Sequence, residues 1–363
     1  MNEKPADRPL MIAVFSLVVF GLVMIFSAGV VLSFHDFGTP YYYFLHQLFY
    51  GILPGIVIWI IVQQVDYHKW DKWAFPLFMI TIIMLILVFI PPIGQTYKGA
   101  SRWINLGVHF QPTEIAKLTV ILYLSAWLSR RKDKVRDLME GFMPFVAVLV
   151  LLSVLIAMQP DIGTLGVIVI TSVIIFFLAA GRISHLLMLM IAGIVALFML
   201  VKVAPYRAAR LLVFLNPEAD PQGIGYQINQ ALITIGSGGL WGIGLGHGRQ
   251  KFLYLPEPIG DSIYAIIGEE LGFLGAVALL ALFLIVSYRG FLIAQKAPDL
   301  FGKLVAGGIT GWLVFQALIN IAAITGLIPL TGIPLPFVSY GSSALIVSLI
   351  GTGILLNISK HTT

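Results

Sequence analysis

The sequence predicts an all-α integral membrane protein of about ten transmembrane helices, with a large extracytoplasmic loop between the seventh and eighth. Three observations carry this. Hydrophobic residues make up 59% of the 363 positions and charged ones only 11%, with a mean hydropathy of +0.95; a soluble domain carries about 25% charged residues. Apolar runs of membrane-spanning length, roughly 18 residues or more, recur along the chain. The densest basic segment, Arg130 to Asp137 (RRKDKVRD), lies between two such runs, as the positive-inside rule requires of a cytoplasmic loop. The whole chain, residues 1–363, reads as a single polytopic domain with no room for a separate soluble one.

The spans fall at about 10–33, 45–63, 74–91, 112–129, 142–158, 162–180, 184–203, 262–287, 304–326 and 337–357. Within lipid every backbone polar group must be satisfied inside the segment, so these are helices. The first is too long for the apolar core of a signal peptide and no A-x-A site follows it, so it reads as a retained anchor. Alternation from the 130–137 loop places both termini in the cytoplasm, with Lys69, Lys72, Arg182, Arg289, Lys296 and Lys303 on the same side. With no cysteine, disulfides, thiol nucleophiles and thiolate metal sites are excluded. The seven histidines show no H-E-x-x-H spacing, and no nucleotide-binding fingerprint is present.

Two outer loops break the charge rule. One, YKGASRWINLGVHFQPTE, holds Lys98 and Arg102; the other runs from about Lys202 to Gly260 and holds Lys202, Arg207, Arg210, Arg249 and Lys251. Cations gathered on the outer face suggest an anionic ligand there; snorkelling to lipid phosphates is the plainer alternative. The second loop is far beyond the usual length for an unstructured connection. Its apolar stretches, ARLLVFL and YQINQALITIGSGGLWGIGLG, read as ordered interfacial or re-entrant segments. Its glycines favour close backbone packing over a phosphate cradle.

Polar residues sit at the helix mouths. Pro112 suits the first helical position of the fourth span. Glu114 and Lys117, at i and i+3, share a face and form either a structural ion pair or the lining of a polar cavity. Asp161, opening the sixth span, is placed to cap it. Asp261 precedes the eighth span as a cap would, although Ser262 could cap equally well. Glu269 and Glu270 lie about 12–13 Å further along that helix; adjacent residues point about 100° apart, so the two read as internal packing partners.

These motifs together resemble the SEDS family (shape, elongation, division, sporulation), and its division members most. The resemblance covers nearly the whole chain and rests on KGASRWINLGVHFQPTEIAKL, MQPDIGT, YRAARLLVFLNPEADPQGIGYQINQALITIGSGGLWGIGLG, LPEPIGDSIYAIIGEELGFLG and GLIPLTGIPLPFVSYGSSALIVSLIGTGILLNIS. It implies a peptidoglycan glycosyltransferase of the bacterial cytoplasmic membrane that polymerises lipid II onto a lipid-linked glycan chain during cell division. Its implied partners are a class B penicillin-binding protein and the division machinery, with membrane lipids around it and no nucleic acid. The resemblance assigns the catalytic acid to Asp261 and the substrate groove to Arg102, Trp103, Gln111, Glu114, Lys117, Asp161, Arg210 and Gln230. A divalent cation, Mg or Mn, beside Asp261 is left open. Two positions depart from the pattern: Ile259-Gly260 stands where many members carry His-Thr, and SYGSSA stands for SYGGSS. A lipid II flippase and a rod-elongation polymerase remain the alternatives, the first placing the weight on Glu114 and Lys117.

Overall fold

The computed structural model describes residues 4–91, 93–97, 100–105, 109–203, 205–216, 220 and 223–362. Ten helices occupy the expected spans: α1 (Arg8–Phe37), α2 (Tyr42–Val62), α3 (His68–Leu87), α4 (Pro112–Arg130), α5 (Leu138–Met158), α6 (Ile162–Leu178), α7 (Ile183–Val203), and, after the long loop and its helices α8 (Pro205–Leu215) and α9 (Ile224–Ser237), α10 (Ile263–Lys296), α11 (Leu300–Ile324) and α12 (Ser342–Lys360). Among the described residues seven of these are long and apolar enough to cross a membrane, and α6 and α7 are shorter apolar helices. The remaining one, α4, carries Glu114 and Lys117 inside its length.

Local chemistry sets the ends. The Asp7 carboxylate accepts from the Leu10 N–H at 3.0 Å, and Pro9 follows at the first turn of α1, both ordinary starts for a helix. Asp299 caps α11 through the Gly302 N–H at 2.8 Å. The faces of α1 are divided as a bilayer requires. Ile12, Phe15, Val19, Val23 and Phe26 are exposed, while Leu10, Val14, Leu17, Gly21, Met24 and Ala28 are buried. The spacing of three to four residues within each set gives one lipid-facing and one bundle-facing stripe.

The bundle is built around α11, which packs against α10, α6, α4 and α12. Small residues allow the close crossings. A Cβ on Gly308 would lie 2.8 Å from Ile121, and one on Gly311 2.7 Å from Ile174. At the periphery α7 is exposed along most of its length, and its main contacts are with α6 and α8.

Two features differ from the sequence expectation. The loop after α3 forms a small antiparallel sheet, β1 (Gly94–Tyr97), β2 (Ala100–Asn105) and β3 (His109–Phe110) in that order, so the outer surface is not purely helical. Its Lys98 lies outside the described residues. The eighth span is longer than expected and is broken at Gly272 (φ 66°, ψ −166°). There the segment after α9 runs alongside. Ile243 N–H and Gly244 N–H donate to the carbonyls of Glu269 and Glu270, each at 3.0 Å. A Cβ on Gly242 would lie 2.2 Å from the Glu270 carbonyl oxygen. The glycine-rich segment is thus a close-packing device, as its composition predicts.

Candidate functional site

Asp261 ends the turn before α10. The first residue outside that helix is Ser262, and no side chain caps it; the carboxylate of Asp261 is therefore not engaged as a helix cap. Among the described residues its side-chain donor is Gln227 of α9, whose amide nitrogen lies 3.4 Å from both carboxylate oxygens and 3.2 Å from Ser262 Oγ. Its backbone is held more firmly. Asn320 Nδ2 on α11 donates to the Asp261 carbonyl at 2.9 Å and to the Ile333 carbonyl at 2.8 Å. Ser339 Oγ donates to the Gly260 carbonyl at 2.7 Å, and Tyr340 N–H donates to that of Ile259 at 2.8 Å. The connection between α11 and α12 is thereby stitched over the turn, and a Cβ on Gly332 would sit 3.8 Å from Asp261 Oδ2.

Burial pushes the Asp261 carboxyl up to about 6, and the negative charge of Glu257 adds to this; the Gln227 amide and the Arg210 guanidinium oppose it. The direction is that expected of a carboxylate withdrawn from water beside a like charge. Arg210 on α8 is itself exposed and donates to the Leu330 carbonyl at 3.1 Å. Among the described residues no group of three His, Cys, Asp or Glu side chains is placed to hold a metal ion. Asp261 and Glu257 offer two carboxylates, so a Mg ion here would draw its remaining oxygens from water and substrate phosphate.

A second cluster surrounds Asp161. Its Oδ1 accepts from the Thr164 N–H at 3.3 Å, the capping bond expected from sequence. Its Oδ2 accepts from Gln111 Nε2 at 3.2 Å and Thr113 Oγ1 at 3.4 Å. Arg102 on β2 lies 4.0 Å from the same carboxylate and donates to the carbonyls of Gln159 (3.0 Å) and Pro160. Trp103 follows on the same strand, half-buried, paired in register with Gln95.

Between the two clusters, Glu114 and Lys117 form a fully buried ion pair at 2.8 Å, both 3% exposed. Lys117 Nζ also donates to Gln316 Oε1 at 2.8 Å, as does Trp312 Nε1, and Gln316 Nε2 donates to the Pro334 carbonyl at 2.9 Å. Gln316 and Asn320 are one turn apart on α11 and grip consecutive carbonyls, Pro334 and Ile333. The Glu114 N–H donates to the Gln111 carbonyl at 3.1 Å, so a belt of polar residues runs across the helix mouths from Arg102 through Asp161, Gln111, Glu114, Lys117 and Gln316 to Asn320 and Asp261.

The sequence-derived residues divide accordingly. Asp261 and Arg210 share one site; Arg102, Gln111 and Asp161 share the other; Glu114 and Lys117 belong to the belt that joins them. Gln230 lies one turn along α9 from Gln227, half-buried, its carbonyl accepting from Thr234. The glutamine that meets Asp261 is Gln227, which sequence reasoning missed, together with Gln316, Asn320 and Ser339. The available signal was polarity inside an apolar span, since Gln and Asn at that depth are costly without a partner.

Comparison with known proteins places this arrangement. The sequence matches the FtsW/RodA/SpoVE family, described as cell cycle proteins, over residues 8–363. It is 41% identical to stage V sporulation protein E of Bacillus subtilis over 99% of both chains. It is 42% identical to the probable peptidoglycan glycosyltransferase FtsW of Trichlorobacter lovleyi over 97% of this chain and 93% of the other. Among solved structures it resembles a chain of a peptidoglycan synthase complex, in work on the coordination of polymerization and crosslinking. The TM-score is 0.80 at 28% identity, covering 98% of this chain and 97% of that one. It also resembles the rod shape determining protein RodA of Thermus thermophilus, with a TM-score of 0.72 at 26% identity over 99% and 98% of the two chains.

Proposed function

The chain belongs to the FtsW/RodA/SpoVE family of multi-pass helical membrane proteins, and from that membership we propose that it is a peptidoglycan glycosyltransferase that polymerises lipid II during cell division. The observation that carries the site is the state of Asp261: a carboxylate at a helix mouth, not engaged in capping, weakly hydrogen-bonded, and raised to about 6. A group with that value is ionised near neutral pH yet far more basic than an ordinary aspartate, which suits a general base.

In the proposed reaction the 4-hydroxyl of the acceptor N-acetylglucosamine gives its proton to Asp261. Its oxygen forms the new bond to the anomeric carbon of the donor chain, and the bond from that carbon to the pyrophosphate breaks, with the electron pair leaving on the lipid pyrophosphate. The activated bond is in the substrate, so no nucleotide is consumed. Arg210 is near enough to Asp261 to depress its pKa; one of its donors holds the Leu330 carbonyl, and, being exposed, it has others to meet the departing pyrophosphate. A well-aimed donor of this kind contributes about 3–4 kcal/mol to the transition state. Lys117 and Arg102 already have protein partners at hydrogen-bond distance. Their part is to hold the belt that positions the α11–α12 connection and the 159–161 turn, with Trp103, Gln111 and Gln230 at its margins.

The positive-inside distribution supports both termini in the cytoplasm and Asp261 on the extracytoplasmic side. The class B penicillin-binding protein and the division machinery are the partners this reading assigns. The likeness to a chain from a peptidoglycan synthase complex supports a partner protein, and the FtsW-named relatives support division over elongation.

The test is polymerisation of lipid II by purified wild type and Asp261→Asn, each with a partner free of glycosyltransferase activity. Glycan strands from wild type and none from the folded mutant support the reading. Equal polymerisation removes Asp261 from catalysis. Movement of lipid II across vesicles without polymerisation establishes the flippase instead.

A further inference from the structure

The bundle end opposite Asp261 holds a cavity of about 380 Å³. It is formed where the start of α1 meets the ends of α10 and α12, roughly 40 Å along α10 from Asp261 at 1.5 Å per residue. Lys4, Arg8, Arg289 and Lys296 line it against one carboxylate, Asp7. That carboxylate is fully occupied. It caps α1 through the Leu10 N–H at 3.0 Å and takes the Arg289 Nε at 3.0–3.1 Å. Among the described residues Lys4, Arg8 and Lys296 have no side-chain partner, so three exposed cations face one concavity.

The walls are built in advance. The Asp7 N–H donates to Ser359 Oγ at 3.0 Å and the Lys4 N–H to the Lys360 carbonyl at 3.0 Å, so the chain before α1 is fastened to the end of α12. Along α10 the lining continues into the apolar Leu292, half-buried, and Ile293, buried. The same end of the bundle carries the basic 130–136 segment after α4. A free anion would meet the cations but have no use for the apolar wall; a membrane lipid presents a phosphate above an apolar body.

We propose that this cavity binds the phosphate-bearing headgroup of an anionic phospholipid from the leaflet opposite the Asp261 site. Phosphate oxygens would be taken by Arg8, Lys296 and Lys4, with the glycerol and first methylenes against Leu292 and Ile293. Basic pockets between helix ends at a membrane surface have the charge and shape for such headgroups.

The experiment uses the full chain in a neutral detergent. Native mass spectrometry and thermal unfolding are followed on addition of phosphatidylglycerol, phosphatidylcholine or inorganic phosphate. Three variants are compared with wild type: Arg8→Gln with Lys296→Gln; Arg8→Lys with Lys296→Arg; and Lys69→Gln with Lys132→Gln, which removes two charges from the same bundle end but outside the cavity. Wild type, the charge-conserving variant and the outside variant are expected to retain phosphatidylglycerol and to gain thermal stability from it. The Arg8→Gln, Lys296→Gln variant is expected to bind it at least tenfold more weakly. Retention unchanged in that variant, or lost equally in the outside variant, overturns the site. Stabilisation by inorganic phosphate equal to that by the lipid overturns the lipid as its occupant.

Discussion

If Asp261 is the base and its carboxyl sits at about 6, polymerisation must fall steeply as the medium is acidified through that value. At pH 5, one unit below it, roughly a tenth of the molecules carry the ionised base, so the rate falls about tenfold from its plateau near pH 7.5. An aspartate at the ordinary value of 3.8 would lose almost nothing over the same interval. Glu257 contributes to the elevation and Arg210 opposes it, so the midpoint should move in opposite directions when each is neutralised. Glu257→Gln removes a negative neighbour and shifts the midpoint down, recovering activity at pH 5 relative to its own plateau. Arg210→Gln shifts it up, besides lowering the plateau. The assay is glycan-strand formation from lipid II at fixed ionic strength between pH 4.5 and 8. A profile flat down to pH 5, or shifts of the same sign in the two variants, refutes the assignment of the base.

The same elevation makes Asp261 a stability liability at neutral pH. The folded state binds its proton more tightly than the unfolded one, so stability is greatest at low pH and declines as pH rises through about 6. Two pK units correspond to about 3 kcal/mol, and less here because Asp261 keeps some exposed surface. Asp261→Asn should therefore unfold at a higher temperature than wild type at pH 7.5, an advantage that vanishes near pH 4. Lys117→Met leaves Glu114 buried and unpaired and should cost about 3–5 kcal/mol, whereas Glu114→Gln with Lys117→Met should recover most of it; urea or thermal unfolding in detergent distinguishes the two. Asn320→Leu frees the Asp261 and Ile333 carbonyls and should lower kcat for polymerisation at least tenfold with KM little changed. Equal loss of folded protein would make Asn320 merely structural. Gly272→Ala forces a side chain onto a φ of 66° with its Cβ 2.3 Å from Gly242 N, and should cost roughly 3 kcal/mol or abolish accumulation of folded protein.

The spans were legible because lipid imposes one solution on the backbone, and α4 begins at Pro112 where the proline said it would. The Asp161 cap was legible for a similar reason, since a cap is a contact three residues long. The sheet at 94–110 was not, because its strands are only two to six residues long, with little alternation to read. The break at Gly272 was hidden by context: a glycine in a span is commonplace, and only the segment 238–244 lying alongside makes it necessary. Gln227, Gln316 and Asn320 act through partners 13 to 199 positions away, a relation that no local pattern contains. Glu269 and Glu270 are internal packing partners, as their place within the apolar run suggests. Yet the two carboxylates converge on a common stretch despite their 100° separation, because the 248–251 segment wraps between them.

The three acids of the LPEPIGDSIYAIIGEELGFLG stretch differ in what holds them, and the difference supports the role proposed for Asp261. Glu270 takes Lys251 Nζ at 2.7 Å, Ser27 Oγ at 2.5 Å and the Gly248 N–H at 3.3 Å. Glu269 takes the Arg249 and Gln250 N–H groups at 2.8 and 3.3 Å. Both bind the 248–251 segment to α10, and both are 1% exposed, which keeps a substrate hydroxyl from reaching them. Asp261 has the opposite balance, with a firmly fastened backbone, a partly exposed carboxylate and, among the described residues, one side-chain donor to it, an amide at 3.4 Å. Fixed position with unfilled hydrogen-bond capacity is what a general base requires, because the missing partner is the hydroxyl that it must deprotonate. Glu270→Gln should accordingly weaken folding while leaving the pH midpoint of any surviving polymerisation in place, whereas a shifted midpoint in that variant would mean that the two sites are electrostatically one.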